Sequence, residues 1–568
     1  MRKTLLLFLA LLWLGGETLP AQEPLCYVPP QKGDWSSVRG PVVSFGSTDL
    51  RYGAHTPQTG EVERFMVEGW RGERLSAQLY ISTPRELEGV RCVVGDFCAK
   101  GVSLKGIAET YFVKYVISDS FEHWGKKDKS KFPSHIQPDL LDTCPEMDIE
   151  AQTTRPVWVT IAIPDEAAPG LYTAPVVVRG KGVSKRLWLE LRVLERRLPP
   201  PSEWVYHLDL WQHPAAVARA ERVALWSDEH MEQAKPVMKR LIDAGQKVIT
   251  TTLNKDPWNQ QTYDPYEDMI RWMRQTDGSW HYDFSAFDRW VKTMLELGAR
   301  RYINCYSLLP WNNMLHYYDA ASGKMVDVKA DPLTPQFRAM WEPFLKAFVA
   351  HLREKGWIGF TNIAMDERGP EQMDIATALL KEVAPELGIA MADNQETFKR
   401  YPYLRDYCAS VWSPIDPKDI RSRREQGLNT TYYVCTTSKF PNTFTSSEPA
   451  AATYISWHSA ALGYDGFLRW AYNSWGENPE VDSRYAPFVA GDCFLVYPHN
   501  RSSIRFERLI EGIQDWEKLR LLREEALAKG DQQRLALLDN LLKPFQTREP
   551  FEGWQETLNE HKRILNSL

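Results

Sequence analysis

Asp366 and Glu367 are adjacent carboxylates at the end of a short apolar run, Gly359-Phe360-Thr361-Asn362-Ile363-Ala364-Met365, and Gly369-Pro370 stops the extended segment behind them. Two acids side by side can divide acid–base work on one substrate, provided that the backbone lets both reach it. Successive residues of a strand face opposite sides, so both acids meet one substrate only where the strand bends at its end. A purely structural alternative pairs Asp366 with Arg368 and uses Glu367 to cap a helix beginning near Glu371. An apolar run closed by acids and a turn is also how a buried parallel strand delivers side chains to the mouth of an α/β barrel.

Such a barrel needs seven further strands, and the chain supplies them. Strand-like runs fall near 205–210, 247–253, 301–307, 358–365, 388–392, 408–412, 430–436 and 466–471. Helix-period stretches lie between them, for example 228–244, 284–297, 335–355, 371–383 and 447–462. This alternation predicts a (β/α)8 barrel over 201–530, closed by a helix from Ile504 to about Ala526, with a helical extension over 531–568.

Residues 22–200 read differently. Short alternating runs such as Leu75 to Ser82, Arg91 to Val94, Val157 to Pro164, Pro175 to Arg179 and Arg186 to Val193 predict an antiparallel β-sandwich. The polar, aromatic-rich stretch from Tyr111 to Cys144 is expected to be a long loop, and Leu198-Pro199-Pro200-Pro201 a stiff linker. Residues 1–21 form a signal peptide: Arg2 and Lys3, an apolar core from Leu5 to Leu14, and Leu19-Pro20-Ala21. The mature chain is expected to start near Gln22, secreted and periplasmic, with no integral membrane segment. The net charge of -6 carries no basic run, which argues against a nucleic-acid partner. Of eight cysteines, Cys26, Cys92, Cys98 and Cys144 could pair, whereas Cys305, Cys408 and Cys435 sit in apolar runs that favour buried thiols. No zinc spacing occurs, so no metal and no cofactor are expected.

The 22 tryptophans are informative by position. Trp211, Trp258, Trp311, Trp412, Trp470 and Trp475 fall at or just beyond strand ends, as do Asp209, Asn254, Tyr306, Asn394, Tyr472 and Asn473. Indole faces stack on the C–H faces of sugars, and planar polar groups pair with hydroxyls, so this rim suits a glycan. A two-carboxylate retaining glycosidase needs acids about 5–5.5 Å apart across the bond, which neighbouring residues do not naturally straddle. Substrate-assisted hydrolysis needs one proton donor and one carboxylate to hold the 2-acetamido N–H while its carbonyl attacks C1. That division gives Asp366 the polarising role and Glu367 the acid/base role.

The chain resembles glycoside hydrolase family 123, the β-N-acetylgalactosaminidases. The resemblance is carried by Met365-Asp366-Glu367, by the run Gly463-Tyr464-Asp465-Gly466-Phe467-Leu468-Arg469-Trp470-Ala471-Tyr472-Asn473, and by Glu511-Gly512-Ile513-Gln514-Asp515-Trp516-Glu517. The segment from Ile163-Pro164 to Ala168-Pro169-Gly170-Leu171-Tyr172 is also similar. It implies a sandwich-plus-barrel architecture and release of terminal β-linked GalNAc from a glycan. Alternatives are a β-N-acetylglucosaminidase of the same mechanism and a non-catalytic glycan-binding surface protein, which would need no acid pair.

Softer expectations surround this pair. Either Tyr432 or Tyr433 donates its hydroxyl to the acetamido oxygen, alternation allowing only one to face inward. Trp412 and Trp470 are expected to wall the acetamido methyl, Asn394 to stand at the mouth, and Tyr472, Asn473 and Trp475 to contact ring hydroxyls, Asn473 reading equally well as a turn residue. Glu511 and Asp515 are expected to be scaffold.

Overall fold

A computed structural model describes residues 23–25 and 33–568. The expected signal peptide and Cys26 lie outside the described residues.

Eight parallel strands form a nearly closed barrel: His207–Leu210, Val248–Thr252, Tyr302–Tyr306, Thr361–Asp366, Gly388–Asp393, Asp406–Ser410, Asn429–Tyr433 and Gly466–Arg469. In that numbering they neighbour one another in the order 1-8-7-6-5-4-3-2. Closure between the first two rests on a single parallel bridge, Leu208 to Gln246, with the Lys247 N–H donating to the Leu208 carbonyl at 3.0 Å. Every barrel-strand residue is buried, as parallel strands covered on both faces must be.

Helices Asp228–Asp243, Ser285–Leu297, Pro335–Lys355, Pro370–Val383, Pro417–Glu425, Pro449–Leu462 and Ile504–Lys529 surround the barrel. The fifth crossover departs from the expected alternation, because only a 3-10 turn, Thr397–Lys399, links strands five and six. The sequence reading also missed a four-stranded sheet built from the loops after strands two and three: Arg271–Arg274, Trp280–Asp283, Met314–Asp319 and Lys324–Lys329. Trp272 of this sheet stacks on Phe344 at 4.5 Å, and its indole N–H donates to the Leu253 carbonyl at 2.9 Å. His316 and Asn254 exchange two further hydrogen bonds at 3.0 Å. The added sheet therefore braces the loops that lead to Trp258 and Trp311.

The N-terminal sandwich has a five-stranded and a seven-stranded sheet. Along Val183–Arg197 the buried residues Leu187, Leu189, Leu191 and Val193 alternate with more exposed ones, the period of a half-buried strand. One pair departs from the antiparallel expectation, Arg64–Arg71 running parallel to Val183–Arg197. The stretch from Tyr111 to Cys144 is only half loop: strands Ala108–Ser118 and His135–Asp142 pair antiparallel at its two ends, and the loop is confined to the residues between them. Its polar residues misled the reading because this sheet is buried on both faces. Val157, Val159 and Ile161 face the sandwich core, while Trp158 packs with Val113, Leu141 and Ile504 on the barrel side.

Between the two layers lies the helix Ile504–Lys529, whose first half is almost wholly buried. Its charges are satisfied across the junction: Arg505 meets Asp139 at 2.9 Å, Glu507 meets Arg74 at 2.8 Å, Arg508 meets Asp49 at 2.7 Å, and Lys518 meets Glu73. Glu511 accepts from Arg508 and Lys562, and Asp515 from the Trp457 indole at 3.0 Å. Both are parts of the scaffold. The remaining α-helices among the described residues are Pro214–Ala220, Gln532–Leu542 and Trp554–Ser567. Among the described residues no helix is long and apolar enough to cross a membrane. Cys92, Cys98 and Cys144, read as possible disulfide partners, are free thiols, as are Cys305, Cys408, Cys435 and Cys493.

Candidate active site

Asp366 is the last residue of the fourth barrel strand, and Glu367 follows it with φ +49. This left-handed step is uncommon for a residue with a Cβ and costs about 1–3 kcal/mol. It breaks the strand alternation, so both carboxylates line one pocket instead of opposite faces. The Glu367 N–H holds the turn by donating to the Ala392 carbonyl of strand five at 2.8 Å. The structural alternative is not realised. The next helix starts at Pro370 with Gly369 at its N-cap and no side-chain cap, and Arg368 reaches toward the Trp311 carbonyl and Asn313.

The pocket has a volume of about 390 Å³ at the C-terminal end of the barrel. Its two acids sit in different surroundings. The Trp258 indole N–H donates to Asp366 Oδ2 at 3.0 Å, and the Trp311 indole N–H to the Asp366 carbonyl at 3.2 Å. Behind Asp366, Trp211, Trp258 and Tyr306 pack with ring centroids 4.6–5.0 Å apart. Burial in this aromatic wall, and next the charge of Glu367, hold the Asp366 carboxyl well above the usual carboxylate range, while the Trp258 N–H works in the opposite sense. Glu367 faces the other arc of the barrel, where Tyr433 donates its hydroxyl to Oε1.

Tyr433 is thus the inward residue of the pair left open by alternation. Tyr432 points out of the barrel and donates to the Ile455 carbonyl at 2.7 Å, on the helix Pro449–Leu462. Its expected contact with substrate is corrected accordingly. Trp412, Trp470 and Asn394 line the pocket. Tyr472, Asn473 and Trp475 do not, and all three are buried elsewhere. The Tyr472 hydroxyl donates to the Val237 carbonyl at 3.0 Å, and the Trp475 indole to the Val496 carbonyl at 2.7 Å. Asn473 clamps His213, accepting from its N–H at 2.9 Å and donating to its carbonyl at 3.0 Å. These residues secure the long loop after strand eight, which is why they read as a motif without meeting the pocket.

That same loop contributes what the sequence reading overlooked. Asp492 borders the pocket from full burial, its Oδ1 bound by Arg469 at 2.8 Å and its Oδ2 by the Trp470 indole at 2.9 Å. Phe488 packs on Trp470 at 5.0 Å between centroids. Arg469 lies in the recognised strand-eight run, so a buried carboxylate partner was implied, but nothing local located it 23 residues onward. A larger cavity of about 960 Å³ opens at the opposite end of the barrel, far from both acids. In such barrels chemistry sits at the C-terminal strand ends, and the smaller pocket holds the acid pair. Among the described residues no group of three or more His, Cys, Asp or Glu side chains is arranged to hold a metal ion.

The model of the glycoside hydrolase 123 catalytic domain matches residues 211–522, more than half of the chain, and that of the glycoside hydrolase 123 N-terminal domain matches residues 45–180. The chain belongs to glycoside hydrolase family 123. A family 123 glycoside hydrolase from Clostridium perfringens, analysed for the details of glycolipid glycan hydrolysis, superposes with a TM-score of 0.84 at 25% identity, over 93% of this chain and 97% of that one. An exo-β-N-acetylglucosaminidase of family 20 from Vibrio harveyi gives a TM-score of only 0.27 at 10% identity, over 90% of this chain and 100% of that one. No curated protein matches the chain.

Proposed function

We propose that this family 123 glycoside hydrolase releases terminal β-linked N-acetylgalactosamine from glycans with retention, using the substrate's own acetamido oxygen as nucleophile. The observation that carries this reading is the left-handed backbone at Glu367, which turns two consecutive carboxylates into one pocket. Consecutive acids approach the sugar from one side, as substrate assistance requires, and do not flank the bond as a nucleophile and an acid would. The third carboxylate at the pocket, Asp492, has both oxygens engaged and is fully buried, which disfavours it as a nucleophile.

In the first step the acetamido carbonyl oxygen bonds to C1 as the C1–aglycone bond breaks. Glu367 gives its proton to the departing oxygen, and Asp366 accepts the acetamido N–H and stabilises the positive charge of the forming oxazoline. Water then attacks C1, Glu367 takes back a proton, and the oxazoline reopens to the free sugar. The galacto preference rests on the family resemblance. A signal peptide over residues 1–21 would place this activity in the periplasm, and N-terminal sequencing of the exported protein should then begin near Gln22.

Turnover of matched aryl β-GalNAc, β-GlcNAc and β-galactoside substrates tests the function. The expected order in kcat/KM is GalNAc first and the plain galactoside inactive. Comparable activity on the galactoside would overturn the mechanism, and comparable activity on β-GlcNAc only the specificity. NMR of the first-formed sugar should show the β-anomer.

A further inference from the structure

We propose that Trp412 is the platform for the sugar on the leaving-group side of the scissile bond. This inference rests on the proposed roles of Asp366 and Glu367. The two acids divide the pocket into arcs. Asp366 is held by Trp258 and Trp311, from the loops after strands two and three, with Trp211 of strand one beside them. Glu367 is held by the Ala392 carbonyl of strand five and Tyr433 of strand seven. The acetamido group must lie against Asp366, and the departing oxygen against Glu367. The aglycone consequently leaves over strands five to seven. Trp412 stands at the end of strand six, in the middle of that arc.

Its setting is that of a stacking surface. Trp412 is 52% exposed and lines the pocket, whereas the indoles near Asp366 are largely covered. One side of its ring is occupied by the Arg548 guanidinium, 4.7 Å from the centroid. Arg548 does not line the pocket, and it is fixed in turn by donating to the Val411 carbonyl at 2.8 Å. A cation on one face holds the indole in place while the rest of the half-exposed ring stays free to meet a ligand. An exposed tryptophan fixed in this way presents apolar area at little entropic cost on binding. Arg548 comes from the C-terminal helical segment, which thereby reaches the active site through Trp412. The expectation that Trp412 walls the acetamido methyl fits less well, because that wall is already supplied on the Asp366 side.

The test compares two substrates with similarly poor leaving groups: methyl β-GalNAc, and a disaccharide of GalNAc β-linked to galactose. Trp412→Ala should lower the ratio of their kcat/KM values, disaccharide over methyl glycoside, by about 3- to 10-fold. Trp412→Phe should keep most of the ratio, and Arg548→Met should lose part of it, with thermal unfolding confirming that each variant folds. Equal losses on both substrates would return Trp412 to the sugar-binding side and overturn the proposal, as would an unchanged ratio. Failure of the wild-type enzyme on both glycosides would instead overturn the function on which the inference rests.

Discussion

The Tyr433 hydroxyl donates to Glu367, the neighbouring acid of the pair, across the gap between strands seven and four. A tyrosine expected to hold the substrate's acetamido oxygen is thereby placed to orient Glu367, the proposed proton donor.

The two roles separate in kinetics. A hydrogen bond to an ionisable partner contributes about 1.5–3 kcal/mol, so Tyr433→Phe should lower kcat by about 10- to 100-fold on glycosides with poor leaving groups. Substrates with good leaving groups need less protonation and should lose less, as they should in Glu367→Gln, whose loss on natural glycosides is near complete. Equal losses on both substrate types in Tyr433→Phe would favour an acetamido contact.

Asp366 sets the acid side of the pH profile. In the proposed mechanism its ionised form receives the acetamido N–H, and burial holds its pKa well above the usual range. Activity should therefore rise with pH across that raised value, and the acid limb of kcat/KM should lie well above an ordinary Asp value of about 3.9. Trp258→Phe removes an N–H that favours the charged form, so the limb should move to higher pH. A limb that stays in place or moves to lower pH would separate Asp366 from this titration.

Asp209 should make stability depend on pH. It is buried inside the barrel, and burial followed by the charge of Asp406 pushes its pKa up to about 7, against weaker opposing contributions from His207, Trp211 and Gln246. The folded state then keeps a proton that the unfolded chain releases near its unperturbed value. This stabilising contribution is complete below about pH 4 and is lost as pH rises toward 7, by up to about 1.4 kcal/mol per unit. Asp209→Asn should flatten that decline, so that thermal midpoints of variant and wild type diverge between about pH 4 and pH 7. Parallel curves would refute the assignment.

Asn473 tests the correction to the strand-eight loop. Asn473→Ala breaks two buried hydrogen bonds to the His213 backbone and should destabilise by about 1–3 kcal/mol. KM should be nearly unchanged at temperatures where the variant is folded. A raised KM without lost stability would restore Asn473 to the substrate.

The barrel strands and the acid pair were legible because apolar runs, turn residues and helix periods repeat with little interruption. The added sheet was not, because its strands, such as Trp280–Asp283, are short and lie within loops. Tyr432 and Tyr433 show the limit at a site: alternation says that one faces inward, but only the pairing with strand eight fixes which. The run Gly463 to Asn473 was legible as a motif for reasons that are mostly structural. At Gly466 any Cβ would sit 2.1 Å from the His207 carbonyl, and Asp465 pairs with Arg424. Trp258 reads as a residue at or just beyond a strand end and lies in the loop after strand two, where its bond to Asp366 depends on how that long loop folds back.

The ion pairs between the sandwich and the helix Ile504–Lys529 have a consequence for how the molecule can be divided. The Pro199 to Pro201 segment looks like a natural place to cut the catalytic half free. A fragment cut there would keep Arg505, Arg508 and Lys518 while losing Asp139, Asp49 and Glu73. Arg508 and Lys518 would keep Glu511 and Asp515, but Arg505 would keep only backbone carbonyls, and Ile504, packed against Trp158, Val113 and Leu141, would be opened to water. The sandwich is thus a counter-charge for the barrel's last helix, and the unit that evolution can transplant is the two-layer whole.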